Sequence, residues 1–268
     1  MRVHVALHFH QLTPEMLAGS VAVVIDVLRA STTIVHALAA GAEAVIPCQE
    51  VEEARNLKRE RPDEKFLLGG ERQGLRIPGF DFDNSPFAYA ADVVRGRAIA
   101  FTTTNGTRAL AAAAGAARVL VGAFVNRAAI VRELRRAGRP VCLVCAGTDG
   151  GITAEDVLFA GTAAMDLVGD VQDSGPASAA VSIGELEASK PEDVEDPLGT
   201  AVAFARAHGS TLAERLATLR ASRGGRNLIE IGQASDIERA AEDSLFATIP
   251  EWDRGANRFV AADAERSD

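Results

Sequence analysis

Three cysteines, one tryptophan and one tyrosine are all that 268 residues hold of the types that staple or stack most strongly. An odd cysteine count argues against a disulfide framework. Cys142 and Cys145 fall inside an apolar run, as expected of small buried thiols in a reducing compartment. Cys142-Leu-Val-Cys145 has CxxC spacing, but strand alternation points its two side chains to opposite faces. No uninterrupted apolar run approaches the ~20 residues that cross a bilayer. The start, Met1 to His10, is too short and too polar for a signal peptide, so a cytoplasmic location is expected. No lysine or arginine stripe interrupts a net charge of −9 and a pI near 5.2, which argues against nucleic acid and anionic membranes as partners. A GxxxxGKS/T phosphate loop, a GxGxxG dinucleotide fingerprint and a GxSxG nucleophile elbow are all missing. The five histidines (His4, His8, His10, His36, His208) form no metal-type spacing, and His8 and His10 are expected to share a face of the first strand.

What the chain does have is a regular beat. Hydrophobic residues make up 47% of it, with 24 glycines, enough for a sizeable core. Short apolar runs fall at Val3–Leu7, Val21–Ile25, Ala44–Ile46, Phe66–Leu68, Ala98–Phe101, Val119–Val121 and Val141–Val144. Helical patterns fall at Thr32–Ala40, Val51–Glu60, Phe87–Val94, Thr107–Ala114, Asn126–Ala137 and Thr153–Leu167. Strands separated by helices predict an α/β fold, a mostly parallel sheet with helices on both faces in three layers. Residues 1–168 are expected to form this main portion. A smaller C-terminal α/β portion, 169–268, packed on the first or continuous with it, opens with an acidic linking stretch from Gly169 to Asp196. It reads as helices around a Gly224-Gly225 turn, a last apolar stretch at Leu245–Ile249 and a polar tail from Ala261. No internal repeat is evident.

Ligands of such sheets gather beyond the carboxyl ends of the strands, so the residues just after each strand carry the chemistry. Val21-Ala-Val-Val-Ile-Asp26-Val-Leu-Arg29-Ala-Ser31-Thr32-Thr33 delivers a carboxylate beside a helix N-terminus. Such a carboxylate can hold a cation, attack an electrophile or simply cap the helix, while the amides and hydroxyls beyond can hold an anion. Thr102-Thr103-Thr104-Asn105-Gly106-Thr107-Arg108 repeats the theme as an anion cradle. Glu71 and Arg72, adjacent after another strand, would point apart and serve different partners. Asn84-Ser85-Pro86 reads as a helix N-cap with proline in first position. Asp149, Glu155 and Asp156 add carboxylates at the same edge, although Thr153 with Asp156 also reads as a capping box. Like charges gathered there call for a cation, and oxygen ligands favour Mg²⁺ over zinc.

In order along the chain, these motifs resemble the 2-phosphosulfolactate phosphatase (ComB) family. The matching residues are Asp26-Val-Leu-Arg29-Ala-Ser31-Thr32-Thr33, Gly70-Glu71-Arg72, Asp83-Asn84-Ser85-Pro86, Thr103-Thr104-Asn105-Gly106-Thr107, Cys145-Ala146-Gly147 and Glu155-Asp156. A run with Ser222, Gly224, Asn227, Leu228, Gly232, Asp236 and Ile237 extends the likeness, which spans residues 20 to 250. The resemblance implies an α/β, Mg²⁺-dependent phosphoric monoester hydrolase releasing phosphate from 2-phospho-3-sulfolactate, on the route to coenzyme M. On that basis Asp26, Arg29, Glu71 and Arg72 are the expected catalytic residues. Ser31, Thr32, Thr104, Asn105, Gly106, Thr107 and Arg108 are expected to bind substrate, and Asp26, Glu71 and Asp156 to hold Mg²⁺. Arg29, Arg72, Arg76 and Arg108 are the candidate cations for the small phosphorylated, sulfonated acid. Two other readings use the same residues: a non-catalytic sensor of a phosphorylated or sulfonated metabolite, and an enzyme passing the phosphoryl group to an acceptor other than water. A homodimer is the default oligomer.

Overall fold

Val21–Ile25 is buried at every position, and its two faces enter different cores. Val21, Val23 and Ile25 pack into one cluster, Ala22 and Val24 into another. This is the pattern of a strand covered on both sides. A computed structural model describes residues 1–61, 66–168 and 181–262. Their strands are β1 (Val3–Ala6), β2 (Val21–Ile25), β3 (Ala44–Pro47), β4 (Phe66–Arg72), β5 (Leu75–Arg76), β6 (Ala98–Thr102), β7 (Arg118–Gly122), β8 (Val141–Cys145), β9 (Pro250–Asp253) and β10 (Arg258–Ala261). The α-helices are α1 (Pro14–Leu17), α2 (Ala30–Ala39), α3 (Val51–Glu60), α4 (Ala91–Val94), α5 (Gly106–Ala113), α6 (Arg127–Ala137) and α7 (Ala154–Val168). They continue with α8 (Ile183–Ala188), α9 (Pro197–His208), α10 (Leu212–Ala221), α11 (Arg223–Glu230) and α12 (Ala234–Ala241).

All ten strands join one sheet in the order β1-β8-β2-β7-β9-β10-β3-β6-β4-β5. β1, β8, β2 and β7 form one parallel block and β3, β6 and β4 another. The hairpin β9-β10 joins them by antiparallel pairing, Leu120 with Glu251 on one side and Phe259 with Val45 on the other. Glu251 accepts two bonds from Arg118, at 2.7 and 2.9 Å, which pins the hairpin to β7. The crossover β2-α2-β3 leaves the first block for the second, and β6-α5-β7 makes the return journey. α2 and α5 therefore share the central core, where Ile34 and Leu110 meet Val24, Val45 and Phe101. The outer face of the first block is covered by α6, α7 and α9 to α12, that of the second by α3. This is the expected three-layer α/β/α arrangement.

Several local expectations need correction. The Phe87–Val94 pattern is broken into a 3₁₀ turn, Pro86–Ala88, and the single turn of α4. Gly224 and Gly225 lie inside α11 rather than in a turn. The last strands are β9 and β10, beyond the apolar Leu245–Ile249 stretch. The acidic segment after α7 falls partly, and the polar tail mostly, outside the described residues. Cys142 and Cys145 do face different cores, and all three cysteines are buried and free. Among the described residues, no helix is long and apolar enough to cross a membrane.

Candidate active site

Asp26 is the first residue beyond β2, and the backbone fixes one of its oxygens. Asp26 Oδ1 accepts from Ala30 N at 3.2 Å, while Asp26 N donates to Ser31 Oγ at 2.9 Å. One carboxylate oxygen thus caps α2, and the other is turned toward α5. A Cβ added to Gly106 would stand 3.1 Å from Asp26 Oδ2, Ala30 Cβ and Thr103 Oγ1 alike. The N-termini of α2 and α5 consequently meet beside one carboxylate, and α5 carries no side-chain cap of its own. Its first amides remain available to an anion.

Glu71 arrives from β4. Gly70 has φ +138°, and a Cβ there would run into the Thr102 carbonyl, so only glycine lets β4 lie this close to β6. Glu71 Oε1 then accepts from Thr104 N and Thr104 Oγ1 at 2.9 and 3.0 Å, and Oε2 from Gly74 N at 2.8 Å. Asp26, Glu71, Arg29 and Thr103 to Asn105 line one cleft of about 520 Å³, together with the first turn of α11. Thr103 Oγ1 and Asn84 Oδ1 are buried without a partner, and both residues line this cleft. Buried polar atoms left open in this way are expected where a ligand completes them.

The carboxylates perturb one another. Burial, then Asp156 and Glu71, push the Asp26 carboxyl up to about 8, against the opposing pull of the Ala30 amide and Arg29. Burial and Glu155 push Asp156 up to about 8, although amides at Val27 and Gly147 favour its ionised form. Carboxylates that resist ionisation together mark a place where a cation would be welcome.

The structure separates the remaining sequence candidates. Arg72 turns away, donating to Thr102 Oγ1 at 3.0 Å and to Gln49 O at 3.3 Å. Arg108 lies over the Phe9 ring, 5.6 Å from its centroid, and Arg76 is exposed on β5. Thr32 Oγ1 donates to Val27 O and Ser31 Oγ to Val24 O, so both hydroxyls serve the turn after β2. Gly106 and Thr107 line a small apolar space behind Asp26, while Thr104 and Asn105 face the cleft. Asp156 spends both oxygens on the backbone, Oδ1 on Val27 N at 2.8 Å and Oδ2 on Gly147 N at 3.1 Å. His8 caps a 3₁₀ turn beyond β1; burial, then His10 and Arg108, lower its pKa to about 4.

The model of the 2-phosphosulpholactate phosphatase family matches residues 7–255. The chain belongs to that family. A Symbiobacterium thermophilum protein called "Probable 2-phosphosulfolactate phosphatase" is 41% identical over 241 residues, 90% of this chain and 94% of that protein. A Deinococcus radiodurans protein with the same description is 37% identical over 258 residues, 93% and 97% of the two chains. A third, from Caldicellulosiruptor saccharolyticus, is 43% identical over 166 residues, 60% of this chain and 68% of its own.

For a member of this phosphatase family, a divalent cation is the group to test against the donors present. Asp26 and Glu71 bring hard oxygens to the cleft, the Glu71 pair already accepting from Thr104 and Gly74, whereas Asp156 lies outside the cleft lining. Among the described residues no cluster of three or more histidines, cysteines or acids is spaced to cage a metal. Two carboxylates completed by water and substrate phosphate are how Mg²⁺ is commonly held, so the residues fit that ion. The family motifs also left out part of the cleft wall: Arg223 and Arg226, at the start of α11. Their signal was Ser222, which caps α11 by accepting from Gly225 N at 3.1 Å, but the paired glycines after it read as a turn.

Proposed function

We propose that the chain is a Mg²⁺-dependent phosphatase that hydrolyses 2-phospho-3-sulfolactate to 3-sulfolactate and phosphate. The observation that carries this reading is the meeting of Asp26, Glu71 and the Thr103, Thr104 and Asn105 loop that leads into the uncapped α5 in a single cleft. Asp26 and Glu71 would hold Mg²⁺, which supplies charge neutralisation for an in-line phosphoryl transfer to water. The amides where the chain enters α5, with the Thr103 hydroxyl, would hold phosphate oxygens and stabilise the charge they gain in the transition state. Arg29 adds positive charge at the wall beside Asp26. Ser31 and Thr32 shape the turn that presents Asp26 rather than touching substrate. Water attacks phosphorus, the ester oxygen leaves with a proton as the sulfolactate hydroxyl, and inorganic phosphate is released.

Asp26→Asn tests this reading against a sensor that binds the same anion without chemistry. A phosphatase loses turnover by at least roughly a hundredfold when a group that stabilises the transition state is removed. A sensor has no turnover to lose and keeps its anion binding, because an amide replaces a carboxyl that burial already disfavours in its ionised form. Titration calorimetry with 3-sulfolactate and inorganic phosphate, beside a phosphate-release assay, separates the two.

A further inference from the structure

The first turn of α11 presents two guanidinium groups to the cleft, and Glu187 holds both before any ligand arrives, that of Arg226 through its carboxylate and that of Arg223 through its backbone carbonyl. Glu187, 8% exposed, accepts from Arg223 N at 2.7 Å through Oε1 and from Arg226 Nη2 at 3.0 Å through Oε2. Its carbonyl takes Arg223 Nη2 at 3.2 Å, and Arg223 Nη1 reaches Thr148 O at 3.2 Å. Arg226 Nη1 also donates to Ala221 O. Each guanidinium has five N–H donors, so both keep uncommitted ones after these bonds. The Arg226 side chain is 54% exposed and therefore within reach of a ligand.

The third guanidinium of the cleft is placed differently. Arg29 is 3% exposed, and its Nη groups are committed to Asp236, Gln233 and Gly74 O. Arg29 is thus built into the wall, whereas Arg223 and Arg226 are pre-oriented and open. The cleft, at about 520 Å³, extends well beyond the α5 cradle that suits one phosphate. Anionic charge on the rest of a substrate has these two arginines to meet.

We propose that Arg223 and Arg226 form a subsite for a second anionic group of the substrate, a carboxylate or sulfonate, and so set which phosphate esters are hydrolysed. The proposal rests on the phosphatase reading above. Guanidinium groups pair planar and tripodal oxyanions through several N–H donors at once. Holding them rigid in advance limits the ordering that binding requires. A substrate without the second anion leaves this pair unmatched, which is how a polar subsite discriminates. Glu187 is a positioning residue here, fixing the two arginines without touching substrate.

The test compares kcat/KM for three phosphate monoesters in wild type, Arg226→Gln and Arg223→Gln: 2-phospho-3-sulfolactate, 2-phospholactate and glycerol 2-phosphate. The expected loss in each variant is at least tenfold greater for the sulfonate-bearing ester than for glycerol 2-phosphate, and it is seen chiefly in KM. Equal losses on all three esters, or no loss, overturn the subsite. Arg226 is largely exposed, so its variant reads out even where Arg223→Gln fails to fold. Binding of 3-sulfolactate by calorimetry needs no turnover and is expected to weaken at least tenfold in Arg226→Gln. If wild type hydrolyses none of the esters, the phosphatase reading falls, and the calorimetry still decides the subsite: unchanged affinity in Arg226→Gln overturns it.

Discussion

Arg29 and Asp236, 207 residues apart in the chain, are joined by a 2.7 Å ion pair with side chains only 3% and 2% exposed. The other Asp236 oxygen accepts from Ser85 Oγ at 2.7 Å, and Gln233 on the same strap reaches Asp83 Oδ2 at 2.9 Å. The last helix is thereby fastened to the loop after β2 and to the loop leading into α4. This gives the C-terminal helices a direct hold on the wall of the cleft.

Removing one partner of a buried pair strands the other charge and costs about 3–5 kcal/mol. Asp236→Ala is expected to melt roughly 10 °C below wild type, for a chain of this size. Replacing both partners, Arg29→Met with Asp236→Leu, is expected to recover much of that loss in thermal stability while leaving activity low. Thermal melts of the single and double variants check this; an Asp236→Ala protein that melts with wild type contradicts it.

The raised Asp26 carboxyl gives a pH prediction with a definite sign. An aspartate in the unfolded chain titrates near 3.9, and Asp26 in the fold near 8. Between those values the folded protein retains a proton that the unfolded chain has released, so metal-free stability falls as pH rises through the window. Asp26→Asn removes that penalty. In EDTA its melting temperature is expected to exceed wild type at pH 8 and to converge with it near pH 4. Added Mg²⁺ is expected to narrow the gap at pH 8 by raising wild type. A gap that ignores pH contradicts the argument.

Gly106 marks how tightly the two helix ends are fitted. A methyl group there presses on Asp26 Oδ2, Ala30 Cβ and Thr103 Oγ1 together, each at 3.1 Å. Displacing reacting groups by a few tenths of an ångström costs roughly tenfold in rate. Gly106→Ala is expected to lower kcat about that much with a modest change in melting temperature, and Gly106→Val to lower both sharply. Wild-type kcat in Gly106→Ala would show that the cradle is looser than drawn.

Much of this architecture was legible because short apolar runs punctuated by helices leave few topologies. Each of the seven runs supplies a strand, and the carboxylates at Asp26 and Glu71 emerge at the strand ends where ligands bind. The β9-β10 hairpin was not legible. Pro250-Glu-Trp-Asp has little strand character of its own and gains its place through Arg118 and Phe259. Gly224 and Gly225 misled because their purpose is close packing: a Cβ at Gly225 would collide with Leu219 O, and one at Gly224 with the Glu155 carboxylate. Arg72 shows the rule of alternation at work. With Glu71 turned to the cleft, its neighbour had to face the other way, toward Gln49.

The most direct test of the central claim is phosphate release from 2-phospho-3-sulfolactate by the purified protein, with Mg²⁺ and with EDTA, beside a panel of phosphorylated hydroxy acids. Release is expected to require the metal, to prefer the sulfonate ester and to be lost in Asp26→Asn. No release from any panel member, by folded protein with Mg²⁺ present, would contradict that claim.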